Sequence, residues 1–420
     1  MSAFLQSVAV SIRRWSQSRP AAILFRLFCL FPVVAGIIAK LQKNRWTLMD
    51  IDAVLCGASR LSQGLSPYTH TPVCAGLRPA AFVYAPQVAS LFSAPVQQFG
   101  ALFARDLFVW ALLFPATAFL VWFALVKAMP QLRLSHRLLA FSALSAMTFC
   151  CGNIGIVMHA AVLAGLLAAP RKKWLFTLVV LACAYIKPTF LMYFVVFLLE
   201  DRPLWPRFAA FGWRAVAGIG VVALMFATTG HYGGEWRALL KTVAIEEQPG
   251  LGWLALTSWA GVITSSVESL AFAALFMAVM LASGMAMAKW GDLDDNERLI
   301  LGLGLTPLMT PRLMDYDMIL IVPYAALLMS IAGKLPGRIF RTNVTWLFTG
   351  VLTLGIMTDL FHIKAYHRTH TAMFLFAGLT LFVGFRLAWR HSAQIEQRFM
   401  RIWRALAGKP AQAVSSTNPY

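Results

Sequence analysis

Long apolar segments alternate with short polar segments along most of this chain. The first apolar run, residues 21–39, is long enough to cross a bilayer as a helix, and similar runs recur as far as residue 385. Each run is continuously hydrophobic, which is typical of helices surrounded by lipid. The pattern therefore predicts an all-α, polytopic integral membrane protein with about twelve transmembrane helices, in a single domain over residues 1–420.

Basic residues indicate the orientation of the chain. Lys and Arg are concentrated in segments 127–137, 171–173 and 334–341, and short loops rich in Lys and Arg stay in the cytoplasm. Both termini are then cytoplasmic, and two polar segments, 45–98 and 230–257, are periplasmic loops. The second of these loops is predicted to hold an amphipathic surface helix and a Gly/Pro turn.

The C-terminal segment 386–420 is predicted to lie along the membrane rather than across it. Ile395, Phe399, Ile402 and Trp403 share one helical face, and arginines lie off that face. A basic amphipathic helix of this kind binds anionic lipids at the interface. Membrane lipids are therefore expected partners of this cytoplasmic tail.

The composition supports a membrane protein and argues against a nucleic-acid-binding protein. Hydrophobic residues make up 59% and charged residues 13% of the 420 positions, whereas a soluble domain carries roughly 25% charged residues. The net charge of +19 could suggest a nucleic-acid partner. However, the basic residues are divided among loops between apolar spans and do not mix with aromatic residues along a groove, so no nucleic-acid partner is expected. No feature predicts an oligomeric state.

Two pairs of apolar segments are shorter than the ~20 residues that a straight span requires. The first pair is 138–151 and 154–169, and the second pair is 174–186 and 189–199. Turns inside a membrane are tolerated only where protein or a water-filled cavity surrounds the backbone. These short hairpins therefore predict a cavity that opens to the periplasmic side.

Asp50 and Asp52 follow the first apolar span, at the start of the longest polar segment. They could form a solvated helix cap or pair with Arg45. Alternatively, one of them could be a general base at the edge of the bilayer, where partial desolvation raises the pKa of a carboxyl group toward neutrality. Both aspartates are candidate catalytic residues.

The six cysteines divide into two groups. Cys56 and Cys74 share the periplasmic segment 45–98 and could form a disulfide. The other four lie in apolar segments and are predicted to be small core residues. No His or Cys residues have the spacing of metal ligands, so neither a metal nor another cofactor is expected.

Two cations follow or precede a proline near the periplasmic side. Lys187 comes directly before Pro188, and Arg312 comes directly after Pro311. Either cation could bind an anion such as a phosphate, because a proline can begin a helix whose N-terminus adds positive potential. Alternatively, Lys187 could simply extend to the interface, and Arg312 could pair with one of the nearby aspartates at positions 315 and 317.

For three further polar residues, an ordinary structural role is the alternative to a functional one. Asn153, between two short apolar segments, could bind a sugar hydroxyl or cap a helix. His159, within an apolar segment, is predicted to be a core histidine with its hydrogen bonds satisfied. Tyr316 is more consistent with packing than with chemistry.

Taken together, these features resemble glycosyltransferase family 87, which belongs to the GT-C superfamily of membrane glycosyltransferases that use polyprenyl-phosphate sugars. The family pattern begins with an Asp after the first span. It continues with small residues, a Gly, a Pro-Tyr pair, and an aromatic-Tyr-x-Pro stretch followed by another Pro. The matching residues here are Asp50, Gly57-Ala58, Gly64, Pro67-Tyr68, Phe82-Val83-Tyr84-Ala85-Pro86 and Pro95.

Further motifs follow in the same order within residues 46–325. Gly152-Asn153-Ile154-Gly155 resembles the Gly-Gln-Asn-Gly turn of the family, without its Gln. Ile186-Lys187-Pro188 resembles its Lys-Pro segment. Thr310-Pro311 and Asp315-Tyr316-Asp317 resemble the form found in proteobacterial members, although some relatives carry a His in place of this Asp-Tyr-Asp.

The resemblance implies an inverting glycosyltransferase in the bacterial inner membrane, with its active site at the periplasmic face. A polyprenyl-phosphate sugar, commonly mannose, would be the donor, and a lipid or glycan hydroxyl would be the acceptor. Asp50 would be the base, with Asp52 as the alternative, and Lys187 and Arg312 would bind the donor phosphate. The predicted substrate-binding residues are Tyr68, Tyr84, Asn153, Asp315, Tyr316 and Asp317.

The main alternative is a polytopic transporter or a flippase for lipid-linked sugars without transferase activity, because broken helices around a binding site are also typical of transporters. Two features argue against a transporter: the chain has no similar halves, and its polar residues lie near the periplasmic edge. A non-catalytic assembly partner is a third possibility.

Overall fold

The structure, a computed structural model, describes most of the chain. The described residues are 18–43, 47–248, 250–253, 257, 260–261, 263, 266–335, 347, 349–357, 361, 368–394 and 396–397. Arg45 and most of the predicted interfacial tail lie outside these ranges, so the predictions for them stay predictions.

Every regular element among the described residues is a helix. The α-helices are α1 Arg19–Lys43, α2 Met49–Ser62, α3 Pro86–Phe99, α4 Ala101–Lys127 with two π-helical segments, α5 Leu134–Phe141, α6 Met147–Cys150, α7 Ile154–Ile186, α8 Leu204–Ala227, α9 Gly233–Leu239, α10 Val267–Trp290, α11 Asp295–Met309, α12 Ile321–Lys334 and α13 Arg368–Arg390. Between them lie the 3-10 helices Pro188–Leu198, Gly230–Tyr232 and Asp315–Leu320, and the π-helix Leu240–Glu247, which continues α9. The prediction of an all-α protein is therefore confirmed for the described residues.

Six helices in the described part of the chain are long and apolar enough to cross a membrane. They are Arg19–Gln42, Ala101–Lys127, Leu204–Ala227, Val267–Trp290, Asp315–Lys334 and Thr369–Arg390. The shorter apolar helices Ile154–Ala168 and Pro188–Leu198 accompany them. The protein is thus a multi-pass membrane protein, and the figure of about twelve crossings stays a prediction.

One candidate span lies at the centre of the helices and others lie at the periphery. In Asp315–Lys334, 83% of the most apolar window is buried, compared with 17% in Leu204–Ala227. The peripheral helices expose large apolar side chains such as Trp110 and Ile219, which are 70% and 67% exposed. Apolar surface of this extent is suited to contact with lipid, so the central span is the one that protein surrounds.

Helix α7 is folded back on itself at Lys172. The residue has φ −140° and ψ 61°, outside the helical region, within an element of 33 residues. A straight helix of this length would be about 50 Å long, yet Asn153 and Lys187, at its two ends, line the same cavity. The two halves are therefore antiparallel, and the predicted turn at 171–173 is present.

The remaining segments of the two predicted short hairpins, 138–151 and 189–199, are not the continuous α-helices that were expected. The segment 138–151 is not one helix, because the chain leaves helix α5 after Phe141 and re-enters a helix only at Met147. The Ser142 hydroxyl donates to the Leu139 carbonyl at 2.6 Å, and such local side-chain bonds compete with helix formation. The last arm is a 3-10 helix, Pro188–Leu198, instead of an α-helix.

The prediction that residues 45–98 form one loop was wrong. This segment contains α2 and α3, with Asp50 and Asp52 in the first turn of α2. Negative charge in a first turn is favourable because it faces the positive end of the helix dipole. Cys56 and Cys74 form a disulfide in the structure, which ties the connection between the two helices to α2.

Candidate functional site

A cavity of about 570 Å³ lies between α2, the connection before α3, the two ends of α7 and the turn before the central span. Volumes of this size are usual for small-molecule sites. The polar and charged residues that line it include Asp50, Tyr84, Asn153, Lys187 and Arg312. The apolar residues that line it include Met225, Phe226, Trp236, Leu240 and Val243.

The start of α2 is held in place by the segment that precedes α7. The Leu48 N–H donates to the Cys150 carbonyl at 2.7 Å, and the Asp50 N–H donates to the Cys151 carbonyl at 2.9 Å. Gly152 permits this approach, because it has φ +72° and a Cβ at this position would lie 3.0 Å from the Leu48 Cα. The contact brings the Asp50 side chain to the start of α7.

Asn153 joins the helix cap of α7 to the Asp50 carboxylate. Its side-chain oxygen accepts a hydrogen bond from the Gly155 N–H at 2.7 Å, which caps the helix. The same oxygen accepts a weaker hydrogen bond from the Tyr84 hydroxyl at 3.4 Å. The amide nitrogen is therefore free to donate to Asp50 Oδ2, at 2.7 Å. The cap alternative for Asn153 is confirmed, and the residue also lines the cavity.

The protonation of Asp50 is governed by opposing effects. Burial is the largest effect and raises the pKa of this carboxyl group above its ordinary value. The hydrogen bond from Asn153 and the positive charges of Arg312 and Lys187 lower the pKa and offset part of the increase. The result is a carboxyl group with a raised pKa that lines the same cavity as two cations, and a raised pKa makes a carboxylate a better general base.

Asp52 faces away from the cavity. It is completely buried, its Oδ2 accepts from the Arg78 N–H at 3.2 Å, and its Oδ1 lies 3.6 Å from Arg105 Nη1. Two positions along a helix correspond to a rotation of about 200°, so the two neighbouring aspartates point to opposite sides of α2. The geometry gives Asp52 a role in fixing the connection before α3.

Lys187 lies at the cavity wall between α7 and the 3-10 helix that follows. Its Nζ is 3.3 Å from Asp317 Oδ1 and 4.8 Å from the centre of the Tyr316 ring. The ammonium group thus has a carboxylate on one side, an aromatic face on another, and the cavity in front. Tyr316 lines the cavity and packs, as predicted, against its neighbours.

Asp317 lies behind Lys187, where it also accepts from the His159 ring at 2.7 Å. The other ring nitrogen of His159 bonds to the Tyr193 hydroxyl at 2.7 Å. His159 is therefore a buried histidine with both nitrogens satisfied, as predicted. That its partner is the carboxylate that contacts Lys187 could not be predicted from local sequence patterns, because the contact joins positions 158 residues apart.

Arg312 also lines the cavity. Its Nε donates to the Gln248 carbonyl at 2.8 Å, which links the turn before the central span to the end of the π-helix. Asp315, which the sequence grouped with it, instead accepts from the Ser145 hydroxyl at 2.8 Å. Asp315 is not among the residues that line the cavity in the described structure.

Tyr68 supports the cavity from outside. It is 8% exposed, its hydroxyl donates to the Tyr84 carbonyl at 2.9 Å, and its ring packs against Phe82 and Tyr232. It is not among the lining residues. Of the predicted substrate-binding residues, the cavity brings together Tyr84, Asn153 and Tyr316, with Asp317 in contact with Lys187.

The segment 230–248 forms one side of the cavity. The Trp236 indole donates to the Val83 carbonyl at 3.1 Å. At the rim, His70 and Glu247 approach to 3.0 Å and join the connection before α3 to the π-helix. The surface helix predicted here is present as α9 and the π-helix. Its amphipathic pattern indicated that one face would pack against other residues.

No group of three or more His, Cys, Asp or Glu side chains in the described ranges is arranged to hold a metal ion. Comparisons with protein-family models, with curated proteins and with solved structures find no match to this chain. The helices and the composition define a multi-pass, all-α membrane protein. Its most distinctive site is a cavity whose lining combines a carboxylate and two cations with apolar side chains.

Proposed function

We propose that this protein is a membrane glycosyltransferase that moves a sugar, commonly mannose in the family it resembles, from a polyprenyl-phosphate donor to a lipid or glycan hydroxyl. One observation carries the proposal: Asp50, Lys187 and Arg312 line the same cavity although they are far apart in the sequence. A base and a pair of phosphate-binding cations are the groups that such a transfer requires.

In the proposed reaction, the acceptor hydroxyl oxygen attacks the anomeric carbon of the donor sugar. The bond from that carbon to the phosphate oxygen breaks, and the configuration inverts. Asp50 takes the hydroxyl proton, so its raised pKa favours proton transfer. Lys187 and Arg312 stabilise the negative charge that develops on the departing polyprenyl phosphate.

The mixed lining of the cavity suits the two parts of the donor. The sugar phosphate would lie among Tyr84, Asn153 and the two cations. The first isoprene units would lie against Phe226 and Trp236, where they are removed from water. A site of this composition is expected to accept an amphiphile in preference to a soluble sugar nucleotide.

Asp50 is assigned as the base instead of Asp52 because only Asp50 lines the cavity. The test is transfer from radiolabelled polyprenyl-phosphate mannose to a bacterial lipid extract by the purified protein in lipid. Asp50→Asn is expected to lower the rate at least 100-fold, since a general base contributes about 10²–10⁴-fold. It is also expected to keep donor binding.

Asp52→Asn is the matched control two positions away. It is expected to retain transfer in molecules that remain folded, and to lower thermal stability because Asp52 is buried beside Arg105. Full transfer by Asp50→Asn would refute the proposed mechanism. If the wild type moves the donor across the bilayer but does not transfer its sugar, the flippase would be favoured.

A further inference from the structure

A buried chain of three side chains lies behind Lys187. The Tyr193 hydroxyl is 2.7 Å from His159 Nδ1, and His159 Nε2 is 2.7 Å from Asp317 Oδ1. The same Asp317 oxygen lies 3.3 Å from Lys187 Nζ. Tyr193, His159 and Asp317 are each at most 3% exposed. These three residues are called the Tyr–His–Asp chain below.

The hydrogen-bond roles in this chain follow from its chemistry. A carboxylate can only accept, so His159 Nε2 carries a hydrogen and donates to Asp317. In a neutral imidazole the other nitrogen then accepts, so the Tyr193 hydroxyl is the donor to Nδ1. Every polar group in the chain is satisfied without a further charge, which leaves the Asp317 carboxylate as the counter-ion of Lys187.

Asp317 also fixes the turn that carries the second cation. Its Oδ2 accepts from the Met314 N–H at 3.0 Å, two residues after Arg312. The orientation of one carboxylate therefore determines both the position of the Lys187 ammonium group and the shape of the 312–316 turn. His159 holds that carboxylate from the protein side, where its ring packs against Phe190 at 4.8 Å between ring centres.

From this geometry we propose that His159 and Tyr193 are positioning residues for anion binding in the cavity. They orient Asp317, and Asp317 holds the Lys187 ammonium group toward the cavity. The inference rests on the proposed function in one respect, because it takes the anion to be the phosphate of the donor. Neither residue contacts the substrate, so both act through Lys187.

Donor affinity tests the proposal directly. We would measure the Kd for radiolabelled polyprenyl-phosphate mannose with the full-length protein in lipid nanodiscs. His159→Leu is expected to weaken binding about tenfold, the effect of one lost hydrogen bond to a charged group. Tyr193→Phe keeps the ring and is expected to weaken binding about threefold, which keeps the test usable if His159→Leu does not fold.

The double variant separates a positioning role from a general loss of stability. If His159 acts through Lys187, His159→Leu changes the Kd by less than about twofold in a Lys187→Met background, because the effects of coupled residues are not additive. His159→Gln, which keeps a donor toward Asp317, is expected to recover most of the affinity. Equal effects of His159→Leu in both backgrounds would overturn the proposal.

Tyr324→Phe is the matched control for Tyr193→Phe. Tyr324 is also fully buried, and its hydroxyl also bonds to one side chain, that of Thr380. Tyr324 is not among the residues that line the cavity. Tyr324→Phe is expected to leave the Kd unchanged, and a loss of affinity equal to that of Tyr193→Phe would contradict a specific role for Tyr193.

A second measurement needs no donor and therefore separates failure of this inference from failure of the proposed function. The rate at which acetic anhydride acylates Lys187 would be followed by mass spectrometry. His159→Leu is expected to raise this rate about tenfold, because an Asp317 side chain that has lost its hydrogen bond from His159 no longer fixes the Lys187 side chain, which becomes more accessible to the reagent. An unchanged rate would overturn the inference, even in a protein that binds the donor. A raised rate in a protein that binds no donor would leave the positioning role standing and reject the proposed function.

Discussion

The carboxyl group of Asp50 owes its chemistry to neighbours that are distant in the sequence. Burial raises its pKa, while Asn153, Arg312 and Lys187 lower it. Asp52, two positions along the same helix, is surrounded by Arg105 and the Arg78 backbone instead. Two identical side chains thus acquire different surroundings because a helix rotates them to opposite faces.

The pKa of Asp50 leads to a prediction about pH. The base must be ionised, so transfer is expected to fall as the pH drops through the pKa of Asp50. That pKa is raised above the ordinary 3.8, so the acid limb of kcat is expected at a higher pH than for an ordinary aspartate. Below it, the rate should fall about tenfold per pH unit.

Asn153→Ser tests whether Asp50 is the group that titrates in this pH profile. Serine still caps a helix, but it removes the amide hydrogen bond that lowers the pKa of Asp50. The acid limb is expected to move to higher pH in this variant. A pH profile that is identical in both proteins would show that Asp50 is not the titrating base.

At the scale of elements, the site depends on one close contact between the start of α2 and the turn before α7. Gly152 is suited to this turn in two ways: it adopts φ +72°, and it leaves room for Leu48 and Ile51. Gly155 leaves room for the Asn153 side chain, because a Cβ there would lie 2.7 Å from Asn153 Oδ1. The two glycines therefore allow the hydrogen bond between Asn153 and Asp50.

Gly152→Ala is expected to lower transfer at least tenfold by moving Asp50 away from Asn153. It is also expected to cost about 1–3 kcal/mol through its positive φ. Gly64→Ala is a matched control, because Gly64 has φ +71° but open space around it. If the two variants lose the same activity, the close contact is not what the site requires.

The disulfide is a second feature that fixes the position of α2. Cys56 and Cys74 are 18 residues apart and join α2 to the connection that carries Arg78. Closing a loop of this length stabilises a fold by about 3 kcal/mol in the chain-entropy account. Cys56→Ser with Cys74→Ser is expected to lower the Tm. Dithiothreitol is expected to lower the Tm of the wild type but not that of the double variant, and the opposite pattern would contradict a stabilising bridge.

At the scale of the whole molecule, the cavity and the basic loops lie at different ends of the helices. Asn153 and Lys187 line the cavity, and the fold of α7 at Lys172 lies half a helix away from both. Lys173 pairs with Glu200 near that fold. The distribution of Lys and Arg predicts that this end is cytoplasmic and that the cavity opens to the other side.

Cysteine labelling in intact cells tests this orientation. The four free native cysteines are buried, so an introduced exposed cysteine gives a clear signal. Gln63→Cys is expected to react with a maleimide that does not cross the membrane, whereas Asp201→Cys is expected to react only after the membrane is opened. Both positions are exposed. The reverse result would place the cavity in the cytoplasm and exclude a periplasmic transfer.

The sequence by itself determined the class of protein and which charged residues are the main candidates for a functional site. Continuous apolar runs are a local property, so the helices of a membrane protein could be predicted from them. Asp50, Lys187 and Arg312 stood out because charges are rare beside such runs. The division of segment 45–98 into two helices was missed, because its Gly and Pro residues are also typical of a loop.

Only the tertiary structure decided what each polar residue contacts. It turned Asp50 toward the cavity and Asp52 toward Arg105, a choice that depends on where α2 begins. It paired Lys187 with Asp317, and Asp317 with His159, across 130 and 158 residues of chain. Such contacts arise from the packing of whole helices, and packing joins positions for which local sequence patterns carry no signal.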